Sequence, residues 1–426
     1  MTKETETMFY QILREELIEA QGCTEPIAIA YAAARAGKEL GEEPERMTLL
    51  VSGNMVKNAM GVVVPNSGGR RGCDVAAILG AIAGSDALSL EVLQHVTEAD
   101  VRRMAELKDA GFCETVLVEE EEPLYISVRL QGRNHSSRVD IRHYHTNICY
   151  VSRDDEVLLD NTKRAEETET FQHKAELSFD SILEFARTAD WHLLKEIMEP
   201  QVRLNTAIAE EGLRGHYGAE VGRTILETGP DCVRVRALAK AAAGSDARMG
   251  GCTLPVVINS GSGNQGITVS VAVYEYAKEL EAGEEKLYRA LAISNLMSIH
   301  IKKRIGALSA FCGAVSAAAG AGAGITYLLG GDSKAIGRTL VNALGNDCGI
   351  ICDGAKSSCA AKIYSALSAG LLAAQMSLKG RVFQPGEGIV KDEIEKTIAS
   401  VGHIGKDGMR STDSVVLGIM LGREPA

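Results

Sequence analysis

The sequence predicts an α+β fold, mostly helical, with a small antiparallel sheet region in the first half and an Ala/Gly-rich helical second half. Three observations predict it. Between about residues 114 and 160 the strings TVLVEE, LYISVRL, SRVDIRHY and EVLLD alternate or carry branched residues, and EEP, QGRNH and SRDD punctuate them as hairpin turns. From residue 179 onward, apolar residues recur mostly at helical spacing. Among 426 residues, 44 are glycine and only 4% are aromatic, which favours tightly packed helices and pockets lined by backbone.

In chain order, residues 4–20 carry Ile12, Leu13, Leu17 and Ile18 at helical spacing. A turn through Gln21-Gly22-Cys23-Thr24-Glu25-Pro26 then leads into the helix IAIAYAAARAGKEL, with Thr24 as its expected cap and Pro26 in its first turn. Met47–Val51 reads as a strand, residues 74–83 and 89–108 as helices, and the hairpin region follows. After a polar stretch at 161–178, helices are expected at 179–210, 219–227, 231–243, 284–303, 307–329, 334–344, 358–378 and 389–401. Strand-like VVINS and GITVSVAVY flank a loop rich in glycine. Two regions are expected: 1–175, α+β with the GCTEP loop and the small sheet, and 176–426, mainly helical and carrying the clustered cysteines. Gly-Ser-Asp-Ala recurs at 84–87 and 244–247, and Gly-Cys-Thr-x-Pro at 22–26 and 251–255; offsets of 160 and 229 share no period, so these are reused turns and not a tandem repeat.

A 45% hydrophobic and 24% charged composition is globular, and a net charge of −12 argues against a nucleic-acid binder. The N-terminal MTKETETMFYQILREEL lacks the apolar stretch of a signal peptide, so a cytoplasmic location with unpaired thiols is expected. Residues 305–331 carry no charge after Ile305 follows Lys302-Lys303-Arg304, but ALSAFCGAVSAAAGAGAG is mostly Ala, Gly and Ser, so a buried helix is expected there and not a membrane span.

Four of ten cysteines, Cys312, Cys348, Cys352 and Cys359, fall in AFCGA and NDCGIICDGAKSSCA. Thiolates are soft donors suited to iron–sulfur clusters and zinc, although these spacings match neither zinc knuckles nor ferredoxin runs, and small buried thiols are the plain alternative. Cys23 sits beside Glu25 close to a helix N-terminus, where the dipole lowers a thiol's pKa and favours a thiolate base or nucleophile. Asn259-Ser260-Gly261-Ser262-Gly263-Asn264-Gln265-Gly266 is neither a P-loop nor a dinucleotide fingerprint; it suits a small carboxylate, or is a turn between two strands. Ser52-Gly53-Asn54-Met55-Val56-Lys57-Asn58 has a similar loop-like character. His143 and His145, with His135 nearby, stand at strand spacing and read as surface residues, and Lys302-Lys303-Arg304 after His300 read as favourable charge at a helix C-terminus.

Taken together, GCTEP, NSGSGNQG, and CDGAKSSCA after an upstream FCGA resemble the L-cysteine desulfidase family over nearly the whole chain, a family similar to the iron–sulfur L-serine dehydratase α chain. The resemblance implies a lyase, independent of pyridoxal phosphate, that converts L-cysteine to pyruvate, ammonia and sulfide by α-proton abstraction and β-elimination. It implies a [4Fe-4S] cluster on Cys312, Cys352 and Cys359, whose open iron position takes the substrate carboxylate and the β-sulfur, with Cys348 as a rival ligand. It nominates Cys23 as the base, and Glu25, Asn54, Asn58, Ser260, Ser262, Asn264 and Gln265 as substrate-binding residues. CDG here, where the serine dehydratases have CDP and a longer interval, favours the desulfidase branch and leaves the leaving group, thiol or hydroxyl, undecided. The alternatives are dehydration of L-serine or another β-substituted amino or hydroxy acid, and a non-catalytic protein with structural zinc or buried thiols. The expected partner is a small amino-acid substrate, with no nucleic acid and no membrane, and a homo-oligomer is compatible with the chain.

Overall fold

The computed structural model describes residues 1–119, 121–163 and 169–423, so the polar stretch expected at 161–178 lies partly outside the described residues. The chain opens with helix α1 (Lys3–Glu16), a short strand β1 (Glu19–Gln21) and helix α2 (Thr24–Leu40). Strand β2 (Arg46–Ser52) runs directly into α3 (Gly53–Ala59), followed by α4 (Cys73–Ala83), a 3-10 segment over 86–91, and α5 (Glu98–Asp109). Five strands come next: β3 (Cys113–Val118), β4 (Tyr125–Gln131), β5 (Ser136–Arg142), β6 (Ile148–Arg153) and β7 (Glu156–Asp160). The remainder holds α6 (Glu169–Ala175), α7 (Phe179–Thr188), α8 (Trp191–Arg214), α9 (Val221–Thr228), α10 (Val233–Met249) and strand β8 (Pro255–Val257). It ends with α11 (Gly263–Glu279), α12 (Glu284–Ile305), α13 (Gly313–Leu328), α14 (Ser333–Asn346), α15 (Cys359–Leu378), α16 (Ile394–His403) and α17 (Arg410–Met420). The fold is α+β and mostly helical.

The main sheet has the order β3-β2-β4-β5-β6-β7 and is mixed: β2 and β3 are parallel, the other pairs antiparallel. Alternation puts Met47, Leu49 and Val51 of β2 on the buried face, where they pack with Ile27, Ile29 and the alanines of α2. A Cβ at Gly80 of α4 would lie 2.3 Å from the carbonyl oxygen of Ala30, so these two helices cross nearly backbone to backbone. A second core joins α1 (Phe9, Leu13) to the later helices through Phe185, Leu291 and Leu340. The uncharged stretch is the buried helix α13, which the same device clamps: Cβ atoms at Gly320 and Gly370 would lie 2.4 Å from Ser294 O and 2.5 Å from Ala318 O. Among the described residues, no helix is long and apolar enough to cross a membrane.

Several local expectations change. GITVSVAVY is helical, inside α11, because Ile267–Val273 are buried on every side and Ser262 caps the helix; only Pro255–Val257 forms a strand, paired with β1. Residues 53–59 are helix α3 and not a polar loop. Cys23, not Thr24, is the N-cap of α2, and Thr24 is its first helical residue. The helix expected over 89–108 begins at Glu98, where Thr97 and Asp100 form a capping box. The one expected over 179–210 is two, split where Asp190 caps α8. The second Gly-Ser-Asp-Ala lies within α10 and is not a turn.

Candidate active site

The cysteines of the second half are gathered by a two-segment pairing. Phe311 and Ile351 form an antiparallel bridge, the Cys312 amide donates to Ile350 O at 2.9 Å, and the Cys352 amide donates to Ala310 O at 2.6 Å. Cys312 is thereby fixed as the N-cap of α13, and Cys359 opens α15. The Cys312 thiol hydrogen-bonds the Cys352 sulfur, and this donation, with the positive charges of Lys57 and Lys362, outweighs burial and brings Cys352 down to about 6. Cys312 is pushed well up by the same bond and by burial, and burial raises Cys359. Three ammonium groups surround the thiols. Lys57, only 1% exposed, donates to Cys352 O at 3.2 Å and pairs with Asp413 of α17 at 2.5 Å, while the other Asp413 oxygen accepts from the Ala310 amide at 3.0 Å. Lys302, at the end of α12, is buried, which lowers it to about 8 against the opposing pull of Cys352 and Cys312. Lys362 of α15 pairs with Asp353.

The GCTEP loop meets this group. Cys23 is buried against Val62 and Met249, and Cys359 and Ala355 pack on the same small cluster. The Cys23 thiol donates to Glu25 Oε2 at 2.9 Å, Thr24 Oγ1 donates to the same oxygen at 3.2 Å, and Asn58 Nδ2 donates to Oε1 at 3.2 Å. His145 Nε2 stands 3.7 Å from Oε1. Burial alone would raise Glu25, but His145, Cys23 and the backbone at the start of α2 together hold it at about 2, so it is a carboxylate. Cys23 behaves opposite to the expectation of a dipole-lowered thiol: burial and the adjacent Glu25 charge push it well up, and it stands as a neutral donor to that carboxylate.

A cavity of about 1200 Å³ opens beside these walls, lined among others by Asn54, Lys57, His145, Ser260, Lys302 and Asp413. It has room for a small ligand and the water around it.

Residues 87–418 match the family described as serine dehydratase alpha chain. The chain belongs to the serine dehydratase alpha chain family. It is similar over almost its whole length to UPF0597 proteins: 50% identical to one from Lachnoclostridium phytofermentans (96% of this chain, 98% of the relative) and 45% identical to one from Desulfitobacterium hafniense (99% of each). A third, from Finegoldia magna, is 43% identical over 97% of this chain and 99% of its own. The family places this serine dehydratase-type chain among the lyases.

Within this serine dehydratase-type chain the expected residues fall into two groups. Cys23, Glu25 and Asn58 are in direct contact; Asn54, one turn before Asn58 on α3, keeps a buried Oδ1 without a partner, as does Asn58. Gln265 presses on Gly313, where a Cβ would lie 2.5 Å away, so it abuts the residue after Cys312, and Asn264 Oδ1 accepts from Arg248 at 3.2 Å. Ser260 and Ser262 serve the loop itself. Ser260 and Gly261, at φ +50 and +76, close a tight turn between Asn259 and Ser262; Ser260 donates to Asn259, and Ser262 caps α11. Cys348 is exposed, unlike the three mutually interacting thiols.

Sequence reasoning missed five residues here. His143 and His145 do not share a strand face: His143 has φ +69 just beyond β5, and both are buried, His145 beside Glu25 and against Gly261. Lys302 turns inward from a helix end that read as solvent-facing, Arg248 is buried at the end of α10, and Asp413 comes from a helix that carried no signal. Only the position of Lys302 ten residues before Cys312 was there to notice.

Proposed function

We propose that the chain is a carbon–sulfur lyase, independent of pyridoxal phosphate, that cleaves L-cysteine to pyruvate, ammonia and sulfide. One observation supports this above all: Cys23, with its Glu25 and His145 partners, packs in the same small cluster as Cys359, so an acid–base group lies against one of the gathered thiols.

Cys312, Cys352 and Cys359 suit a [4Fe-4S] cluster. All three are soft donors, and Lys57, Lys302 and Lys362 offset the charge of the gathered thiols. Bound through these three thiolates, a cluster would supply an electron-pair acceptor at its remaining position. The chain's own residues do the rest. To act as base Cys23 gives its proton to His145, whose unpartnered Nε2 stands on the far side of Glu25, while Glu25 stays a carboxylate that orients both, and the thiolate so formed takes the α-proton of the substrate. Glu25 and the free amide oxygens of Asn54 and Asn58 offer acceptors to the substrate ammonium. The Cα–H electron pair forms the Cα=Cβ bond as Cβ–S breaks, and sulfide departs. The aminoacrylate left behind tautomerises to an imine, and water converts that to pyruvate and ammonia. L-Serine, losing hydroxide from the same position, is the second reading, favoured by the family match.

The test is anaerobic purification followed by iron and acid-labile sulfide analysis, then pyruvate and sulfide release from L-cysteine and L-serine. About four iron atoms per chain with sulfide from cysteine supports the first reading. Pyruvate from serine alone supports the second. Neither iron nor turnover after reconstitution ends both.

A further inference from the structure

Arg248 is an unusual charged residue. It sits in the last turn of α10, 2% exposed, and among the described residues no carboxylate pairs with it. Asp246, two residues earlier, is turned away and accepts from the Gly222 amide at 2.9 Å. Of the guanidinium, only Nη1 is engaged, donating to Asn264 Oδ1 at 3.2 Å; Nε and Nη2 are buried and have no partner. A guanidinium buried in this way is costly unless an anion meets it. The two free nitrogens are those on one edge of the planar group, and their N–H bonds run parallel, matching the two oxygens of a carboxylate.

A glycine faces that edge. Gly263 lies directly over it, and a Cβ there would fall 2.3 Å from Nε and 2.7 Å from Cζ, so any side chain would displace the guanidinium. The charge is close enough to be felt at the Cys23 thiol. Cys23, Glu25 and Asn58 follow in an unbroken hydrogen-bonded chain that ends at the unpartnered Asn58 Oδ1. Unsatisfied donors on Arg248 and unsatisfied acceptors on Asn58 thus both lie near the acid–base pair. An α-amino acid carries the complement of both, a carboxylate and an ammonium.

We propose that Arg248 is the carboxylate anchor of the substrate, binding both its oxygens side-on through Nε and Nη2. This rests on the reading of the chain as an amino-acid lyase and narrows the substrate class to free α-carboxylates. Held there, the substrate presents its α-hydrogen to Cys23 and leaves its β-substituent, not its carboxylate, for the three gathered cysteines.

The experiment uses L-alanine, which has no β-leaving group, and L-alaninamide, which lacks the carboxylate, titrated calorimetrically into anaerobically purified protein. Wild type should bind alanine and show at least about 100-fold weaker binding of the amide. Arg248→Met should weaken alanine binding by about 100-fold and erase the discrimination, Arg248→Lys should recover part of it, and KM for the true substrate should rise more than kcat falls. Gly263→Ala gives a second route, because it displaces the guanidinium without removing it, and should also weaken alanine binding. Equal binding of alanine and the amide by wild type overturns the proposal even where the variants do not fold. Unchanged KM in a folded Arg248→Met with turnover intact overturns the anchor alone. Absence of turnover with any amino acid, together with no alanine binding, overturns the lyase reading and the anchor with it.

Discussion

Gly-Cys-Thr-x-Pro occurs twice in this chain, and the two copies touch. Gln21, just before the first, pairs with Pro255 at the end of the second, and Gln21 Nε2 donates to Thr253 O at 2.8 Å. Each begins on a glycine in the left-handed region, with φ +68 at Gly22 and +91 at Gly251, and each leans on the same turn, against Pro65 and Val63 respectively. There the likeness stops. The first copy enters helix α2, and its variable position is Glu25, buried and held as a carboxylate by Cys23, His145 and Asn58. The second enters strand β8, its variable position is the exposed Leu254, and Cys252 lies beside Tyr217. The five-residue frame therefore specifies a turn. The acid within it, and the helix N-terminus that stabilises that acid, set one copy apart from the other.

The sharpest way to break the comparison is to alter the two cysteines in parallel. Cys23→Ser should lower turnover by about 10²–10⁴-fold, the range for losing a positioned base, while iron content and melting temperature stay near wild type. Cys252→Ser should leave kcat and KM unchanged. Equal losses in both would mean that the loops share a structural duty and that Cys23 is not the base.

Glu25→Gln sharpens the same contrast through pH. The folded carboxyl titrates at about 2 against an ordinary 4.5, so it stabilises the fold fully above about 4.5, and that contribution is lost as pH falls toward 2. Urea midpoints of wild type should therefore drop more steeply across that window than those of Glu25→Gln. Parallel curves would show that the carboxylate is no better held in the fold than in the open chain.

How much of this was legible in the sequence follows from what each signal depends on. The helices α2, α12, α14 and α15 and the strands of the sheet were readable because their periodicity is local. The helix α11 was not, since GITVSVAVY is rich in β-branched residues and becomes helical only because neighbours surround it completely. The same division runs through the site. Cys23, Glu25 and the three thiols stood out by residue type and motif. Arg248, Lys302, His145 and Asp413 did not, because a charged residue at a helix end or beyond a strand reads as solvent-facing, and burial is a property of the assembled chain. The direction of the Cys23 shift was misread for that reason too: the helix dipole is visible in the sequence, but the burial and neighbouring carboxylate that outweigh it are not.

The smallest effects test the frame that the two loops share. An alanine at Gly22 must adopt a left-handed backbone and place its Cβ 2.2 Å from Pro65 Cγ, a ring atom with little freedom to move, so Gly22→Ala should cost about 3 kcal/mol in chemical denaturation. At Gly251 the nearest atom is Val63 Cγ1 at 2.9 Å, which a small rotation relieves, leaving mainly the backbone term of about 1 kcal/mol. The kinetic consequences should diverge further than the stabilities. Gly22 is the residue before Cys23, so its displacement moves the thiol relative to Glu25, whereas Gly251→Ala moves Cys252, which lies beside Tyr217. A Gly251→Ala protein as impaired in turnover as Gly22→Ala would show that the β1–β8 pairing transmits strain between the loops, and that the second copy of the turn is part of what positions the first.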